Sequence, residues 1–118
     1  MRVLICDDEP DIRSLYRLAF EDLGAEVSEA SDGDDCMARA DALCPDLVIL
    51  DLYMPKRDGL SILPDLRLRC PAARILVVSA HAAEETFALS RARGATACFE
   101  KVSFMSRIPR LMERYGAA

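Results

Sequence analysis

The sequence is poor in the features that mark several protein classes. It holds one histidine, His81, so a histidine-rich metal site is excluded. No apolar run approaches the roughly 20 residues that a membrane-spanning helix needs. The opening residues MRVLICDDEP reach acidic side chains at the seventh position, which is unlike a signal peptide. Lys and Arg total 15 against 20 Asp and Glu, a formal net charge of -5, so a whole-domain basic footprint for nucleic acid is absent. Repeats, low-complexity tracts and linkers are also absent, which excludes a collagen-like chain, a coiled coil and a disordered tail. The five cysteines, Cys6, Cys36, Cys44, Cys70 and Cys98, are odd in number and form no CxxC pair. Their apolar neighbours read as reduced thiols acting as small hydrophobes in a cytoplasmic protein.

What is present is an ordinary globular balance, 52% hydrophobic and 30% charged over 118 residues, enough for one domain spanning 1–118 with its own core. Short apolar runs alternate with longer amphipathic stretches. Arg2 to Cys6, Ala25 to Ala30, Leu47 to Leu50, Ile75 to Val78 and Thr96 to Glu100 read as strands. The third run shows no alternation, as expected of a central strand covered on both faces. A first helix starts at Pro10 and stops at Gly24, with Ile12, Leu15, Ala19 and Leu23 spaced along one face. A second runs from Asp34 to Cys44, its start marked by Asp32, Asp34 and Asp35 favouring the helix dipole. A third carries Leu60, Leu63 and Leu66, with Pro64 kinking it or delaying its start. A fourth, Ala83 to Arg93, has Phe87 as its one large anchor. The last carries Ile108, Leu111, Met112 and Tyr115, and a start near Ser106 places Pro109 in its first turn.

Five strand–helix units imply an α/β fold, one parallel sheet with right-handed crossovers and helices on both faces. Ligands of such sheets bind beyond the carboxyl ends of the strands, where strand order reverses. The first strand ends in Asp7 and Asp8, followed by Glu9; the third in Asp51; the fourth in Ser79; the fifth in Glu100 and Lys101. The end of the second, Glu29 to Ser31, reads as uninformative. Singly, these residues read as turn, cap or surface groups. Asp51 is the exception, because it follows four apolar residues and an unpaired carboxylate there is costly. Together they bring three carboxylates, a hydroxyl and an ammonium to one edge. Clustered carboxylates need a cation, a raised pKa, or both, and a hard cation such as Mg²⁺ suits oxygen ligands.

At these residues the sequence resembles the receiver domains of two-component response regulators. The resemblance runs from Arg2 to about Tyr115 and is carried by VLICDDEP at 3–10, PDLVILDLYMPKRDGL at 45–60, ILVVSAH at 75–81 and GATACFEK at 94–101. It implies the flavodoxin-like (βα)5 fold with strand order 2-1-3-4-5. By the same resemblance Asp51 is the phosphoacceptor. Asp7 and Asp8 hold Mg²⁺ or Mn²⁺ together with Asp51 and the backbone carbonyl of Tyr53. Ser79 and Lys101 bind phosphoryl oxygens, and Met54-Pro55 with Asp58-Gly59 shape the loop. The implied donor is a sensor histidine kinase or histidine phosphotransfer protein. The implied recipient of the signal is a downstream protein or a fused output domain, and a second copy of the chain could pair through the C-terminal helices. No direct nucleic-acid or membrane contact is implied, and the chain is a phosphoacceptor rather than an enzyme. A stand-alone receiver and a piece of a longer regulator both remain open.

Two positions depart from the family pattern. Where the family has a switch aromatic, three residues before the lysine, this chain has Cys98, with Phe99 on the opposite strand face. A buried, inert thiol is the expected reading of Cys98, ahead of a redox role. Where the family has a proline in a cis bond after the lysine, this chain has Val102. A cis bond there costs roughly 2.5–4 kcal/mol, so a trans peptide or a rearranged loop is expected, and Lys101 would then aim differently. Tyr53 and His81 flank the site as candidates for controlling water access, or as plain loop residues. Arg107, Arg110 and Arg114 read as a solvated face of the last helix, with a partner surface as the alternative. Two other functions share part of this pattern: a receiver-like module that is never phosphorylated, and a Mg²⁺-dependent phosphohydrolase of the haloacid dehalogenase kind. The latter needs an acid where Tyr53 stands and a cap domain that does not fit.

Overall fold

Strands and helices alternate strictly along the chain in the computed structural model, which describes residues 1–81 and 83–116. The order is β1 (Arg2–Cys6), α1 (Pro10–Asp22), β2 (Glu26–Ala30), α2 (Gly33–Leu43), β3 (Leu47–Asp51), α3 (Gly59–Arg69), β4 (Arg74–Ser79), α4 (Glu84–Ala92), β5 (Ala97–Glu100) and α5 (Lys101–Tyr115). All strand pairs are parallel and the sheet order is β2-β1-β3-β4-β5. The order reverses between β1 and β3, so a crevice opens beyond their carboxyl ends.

Period-two alternation splits the core into two layers. Leu4, Val48, Leu50, Ile75 and Val77 face α2, α3 and α4, where Met37, Ile62, Leu63, Leu66 and Phe87 meet them. Ile5, Ile49, Leu76 and Val78 face α1 and α5, where Tyr16, Phe20, Phe104 and Ile108 meet them. β3 is buried at all five positions, which accounts for its unbroken apolar run. Tyr16 packs edge-on against Phe104 at 5.1 Å between ring centroids, and burial lifts its hydroxyl pKa to about 12.

Local chemistry fixes the helix starts. Asp32 caps α2 by accepting from the Asp35 N–H at 2.8 Å, and Asp58 caps α3 by accepting from the Ser61 N–H at 2.8 Å. Pro10 opens α1 at a position that has no helical N–H partner to lose.

The buried face of α1 is not the one the apolar spacing suggests. Leu15 is 50% exposed and Leu23 45%, while Tyr16 and Phe20 are buried. Two apolar stripes adjoin on this helix, and the aromatic pair at i and i+4 buries more area than the leucines. The last helix starts five residues before Ser106, directly out of β5. Phe104, fully buried, continues the Ile108–Leu111 stripe one turn back and contributes about 1.5–3 kcal/mol by leaving water. Pro109 therefore lies inside the helix rather than in its first turn, on an exposed position. Pro64 likewise sits inside α3, which starts without delay at Gly59. Cys44 departs from the apolar expectation: it is exposed and ends α2 in a left-handed conformation. The other four thiols are free and buried or half-buried.

Candidate functional site

The carboxyl ends of four strands meet at the crevice. Asp7 follows β1 directly, Asp51 is the last residue of β3, Ser79 is the last of β4, and Lys101 is the first residue after β5. Asp51 pairs with Val78 across the β3–β4 ladder, which sets Ser79 one residue beyond it on the neighbouring strand. Asp7, Asp51 and Ser79 are buried, at 2%, 5% and 0% exposure, whereas Asp8 is exposed.

The Lys101 ammonium ties the strand ends together. Its Nζ lies 2.8 Å from Asp7 Oδ2, 3.3 Å from Asp51 Oδ2 and 3.2 Å from Glu9 Oε1. The other Asp51 oxygen, Oδ1, accepts from the Tyr53 N–H at 3.2 Å. Asp7 Oδ1 accepts from the Glu9 N–H at 2.9 Å. No peptide bond is cis among the described residues, so the Lys101–Val102 bond is trans. Val102 nonetheless does not turn the lysine away from the site. The helix begins at Lys101 itself, and this start aims the ammonium at the carboxylates.

One carboxylate oxygen each from Asp7, Asp8 and Asp51 lies within 4.8 Å of the others. At that spacing each ionised pair repels by about 3–4 kcal/mol at an effective dielectric near 20. Burial pushes the Asp51 carboxyl above its ordinary value, and the charge of Asp7 adds to this, against the Tyr53 hydrogen bond and Lys101. Burial pulls the Lys101 ammonium down, but its hydrogen bond to Asp7 and the charges of Asp51 and Asp7 outweigh that and hold it raised. One ammonium thus only partly offsets three carboxylates. The hydroxyl of Ser79 is buried with no hydrogen-bond partner among the described residues, an arrangement that leaves a donor free for an incoming acceptor. The oxygen donor set suits a hard divalent cation, and the orphaned hydroxyl suits an anionic oxygen.

The loop after β3 is held close. The Gly59 N–H donates to the Leu52 carbonyl at 2.9 Å, and a Cβ on residue 59 would overlap the Asp51 carbonyl. Tyr53 is 55% exposed and His81 is exposed; neither side chain makes a hydrogen bond among the described residues.

Two contributors escaped the sequence reading. Arg13 donates through Nη1 to the Asp7 carbonyl at 2.7 Å and through Nε to Glu29 Oε1 at 3.0 Å. Arg17 also donates to Glu29, at 2.8 Å, and this bond with that of Arg13 lowers the Glu29 carboxyl below its ordinary value. The end of β2 is therefore informative after all: it anchors the arginine that holds the backbone of the acidic pair. Glu9, noted only as a neighbour of that pair, reaches Lys101. Nothing in residue spacing announces a side chain bonding a backbone carbonyl six positions away.

Cys98 faces α4, its thiol 3.6 Å from the Phe87 carbonyl, and burial raises its pKa. Such a thiol stays protonated, as an inert packing group does. Phe99 faces the other way, against Phe104 at 5.7 Å and beneath Arg107 at 5.8 Å. It does not take the place of an aromatic at position 98.

The family model described as the response regulator receiver domain matches residues 3–113. The nitrogen assimilation regulatory protein NtrX of Azorhizobium caulinodans is 33% identical over 114 residues, 95% of this chain and 25% of that protein. The probable C4-dicarboxylate response regulator DctR of Bacillus subtilis is 32% identical over 97% of this chain and 51% of its own length. The chain thus spans about a quarter to a half of these relatives. The crystal structure of the NtrX receiver domain from Brucella abortus superposes with a TM-score of 0.86 at 32% identity, covering 96% of each chain. Among the described residues no helix is long and apolar enough to cross a membrane.

Proposed function

The chain belongs to the response regulator receiver domain family, and from that premise we propose that it is a phosphorylation-dependent signalling module with Asp51 as phosphoacceptor. The donor is a sensor histidine kinase or a histidine phosphotransfer protein, and the recipient of the signal is a partner protein or an attached output region. The observation that carries this reading is the junction at Asp51. Its buried carboxylate is held by Lys101 at 3.3 Å and Tyr53 at 3.2 Å, beside a buried Ser79 hydroxyl with no partner among the described residues.

The chemistry follows from what each group can do. A carboxylate oxygen of Asp51 attacks the phosphorus of a phosphohistidine; the new P–O bond forms as the P–N bond breaks, and the imidazole leaves. The product is an acyl phosphate carrying about two negative charges. Lys101 already sits within reach of Asp51 and answers part of that charge, while the Ser79 hydroxyl donates to a phosphoryl oxygen. Asp7, Asp8, Asp51 and the Tyr53 carbonyl would hold Mg²⁺ or Mn²⁺, which when bound supplies further charge neutralisation on the transferring oxygens. The Arg13–Glu29 pair keeps the Asp7 backbone in place. Phosphoryl transfer depends mainly on such positioning and electrostatics. Ser79 ends β4 ahead of α4 and Lys101 opens α5, so a shift at either is read on that side of the domain.

Intact mass spectrometry tests this. Wild type and Asp51→Asn are incubated with Mg²⁺ and either acetyl phosphate or a phosphorylated histidine phosphotransfer protein. The expected result is one added phosphoryl group in wild type, absent in the variant and absent with a chelator. No gain from either donor, on folded protein that binds Mg²⁺, would leave an interaction module that is never phosphorylated.

A further inference from the structure

Two cysteines end neighbouring helices. Cys44 follows α2 and Cys70 follows α3, each just ahead of the next strand. They therefore sit at the amino end of the sheet, the end opposite Asp51. Their surroundings differ. Cys44 is exposed, while Cys70 is buried. Cys6 and Cys36 lie deep in the core, and the Cys98 thiol points at the Phe87 carbonyl, so the accessible thiol pair is the one at the helix ends.

The two residues meet at one backbone atom. The Ala40 carbonyl accepts from the Cys44 N–H at 3.0 Å, and Cys70 Sγ lies 4.0 Å from the same oxygen. Both residues line one cavity of about 220 Å³ at the surface, which gives a small solute a way to Cys70. Arg69, next to Cys70, pairs with Asp41 of α2 and ties the two helices beside the thiols. Burial raises the Cys70 thiol pKa, and the charge of Cys44 adds to this, as it does only at short range. The Arg67 guanidinium donates to the Cys70 carbonyl at 3.3 Å and acts the other way, favouring the thiolate. An exposed thiol beside a sheltered one is the arrangement of a reversible oxidation site: the first meets the oxidant and the second resolves the product.

We infer that Cys44 and Cys70 form a reversible disulfide when the chain meets a low-molecular-weight disulfide. The Cys44 thiol gives its proton to water and its sulfur attacks one sulfur of the small disulfide. The new S–S bond forms as the old one breaks, and one small thiolate leaves. The Cys70 thiol then gives up its proton and its sulfur attacks Cys44 Sγ, and the second small thiolate leaves. The two thiolates take up the two protons. The cysteine pair is oxidised by two electrons, and the small disulfide is reduced to two thiols. This goes beyond the phosphoacceptor reading and does not depend on it, since the thiols lie at the other end of the sheet and the test uses unphosphorylated protein.

The probe is oxidised glutathione, added to the reduced, folded chain. Samples are quenched in acid, alkylated and read by intact mass and by tryptic mapping. The expected product has lost two hydrogens, carries three alkylated cysteines and joins peptide 40–56 to peptide 70–74. Dithiothreitol should reverse it. Cys70→Ser, checked for folding by circular dichroism, should stop at the glutathione adduct on Cys44. Cys44→Ser should react at least about tenfold more slowly, because the accessible thiol is gone. The oxidised chain should also unfold at a higher urea concentration than the reduced one, because the bridge restricts the unfolded state. A glutathione adduct that persists in wild type overturns the inference, as does a link from Cys70 to the Cys36 peptide 18–39. A disulfide-linked dimer, no reaction of the folded chain, or a urea midpoint that does not rise on oxidation overturns it equally.

Discussion

The Arg93 guanidinium donates to the Leu60 carbonyl at 3.0 Å, and this is the carbonyl that Pro64 leaves without its helical partner. In an unbroken α3 the N–H of residue 64 would bond the carbonyl four positions back. Pro64 has no N–H to give. An arginine at the end of α4 supplies the missing donor and so ties α4 to α3, alongside the bond from Arg67 of α3 to the Gly94 carbonyl.

Arg93→Met should therefore destabilise the fold by about 1–2 kcal/mol in urea unfolding, since a half-buried carbonyl loses a charged donor. With Pro64→Ala present, the restored N–H takes over and the same change should cost less than about 0.5 kcal/mol. Strict additivity of the two substitutions would show that the two residues do not share this carbonyl.

Ser79 should behave oppositely in its two states. Its buried hydroxyl bonds nothing among the described residues, and an unsatisfied buried hydroxyl costs about 1–3 kcal/mol. Ser79→Ala in unphosphorylated protein should be neutral or stabilising by about 0.5–1 kcal/mol in urea unfolding. Phosphorylation from acetyl phosphate should slow or fail to change the α4–α5 side of the molecule. A clear loss of stability without phosphoryl donor would mean that the hydroxyl has a partner in the resting protein.

The site was legible because its residues terminate strands. Any parallel sheet delivers strand-terminal side chains to one edge, so Asp7, Asp51, Ser79 and Lys101 follow once the apolar runs are recognised. The runs give a parallel sheet with helices on both faces, whereas the strand order β2-β1-β3-β4-β5 is implied only by the resemblance to receiver domains, because apolar runs do not order a sheet. What was not legible depends on side chains meeting backbone or on competing apolar stripes. Arg13 on the Asp7 carbonyl and Arg93 on the Leu60 carbonyl join a side chain to a group that every residue has, so composition carries no trace of them. The α1 face was off by one because Leu15 and Leu18 compete with Tyr16 and Phe20. The early start of α5 was hidden by Pro109, which reads as a first-turn residue, although Phe104 standing four before Ile108 marks the earlier turn.

The pH dependence of stability should carry the signature of Asp51. Its carboxyl is raised, chiefly by burial, above the ordinary value of 3.8. A raised acid contributes stability that is fully present below the ordinary value and lost as pH rises through the raised one. At pH 7 without metal, the ionised carboxylate therefore works against the fold. Asp51→Asn should melt higher than wild type in chelator at pH 7, and the difference should vanish as pH falls below about 4. A difference that is the same at every pH would show that the Asp51 charge is already fully compensated.

Lys101 and a divalent cation would share the same carboxylates, so they should compete. The ammonium lies 2.8 Å from Asp7 and 3.3 Å from Asp51, both buried. Lys101→Met leaves those charges without their partner, and in chelator it should lose about 2–4 kcal/mol, in the range for breaking a buried pair. Added Mg²⁺ then meets a site with one positive charge fewer. Its affinity should rise about tenfold, which adds about 1.4 kcal/mol of stabilisation at saturation relative to the wild-type increment. Melting curves across a Mg²⁺ titration measure both terms in one experiment. Phosphorylation should nevertheless slow, because the ammonium that answers the phosphoryl charge is gone. Tighter metal binding together with slower transfer separates charge balance from catalysis of the transfer. Unchanged Mg²⁺ affinity in the variant would mean that the cation and the ammonium occupy independent places, and the acidic cluster would then not be the metal site.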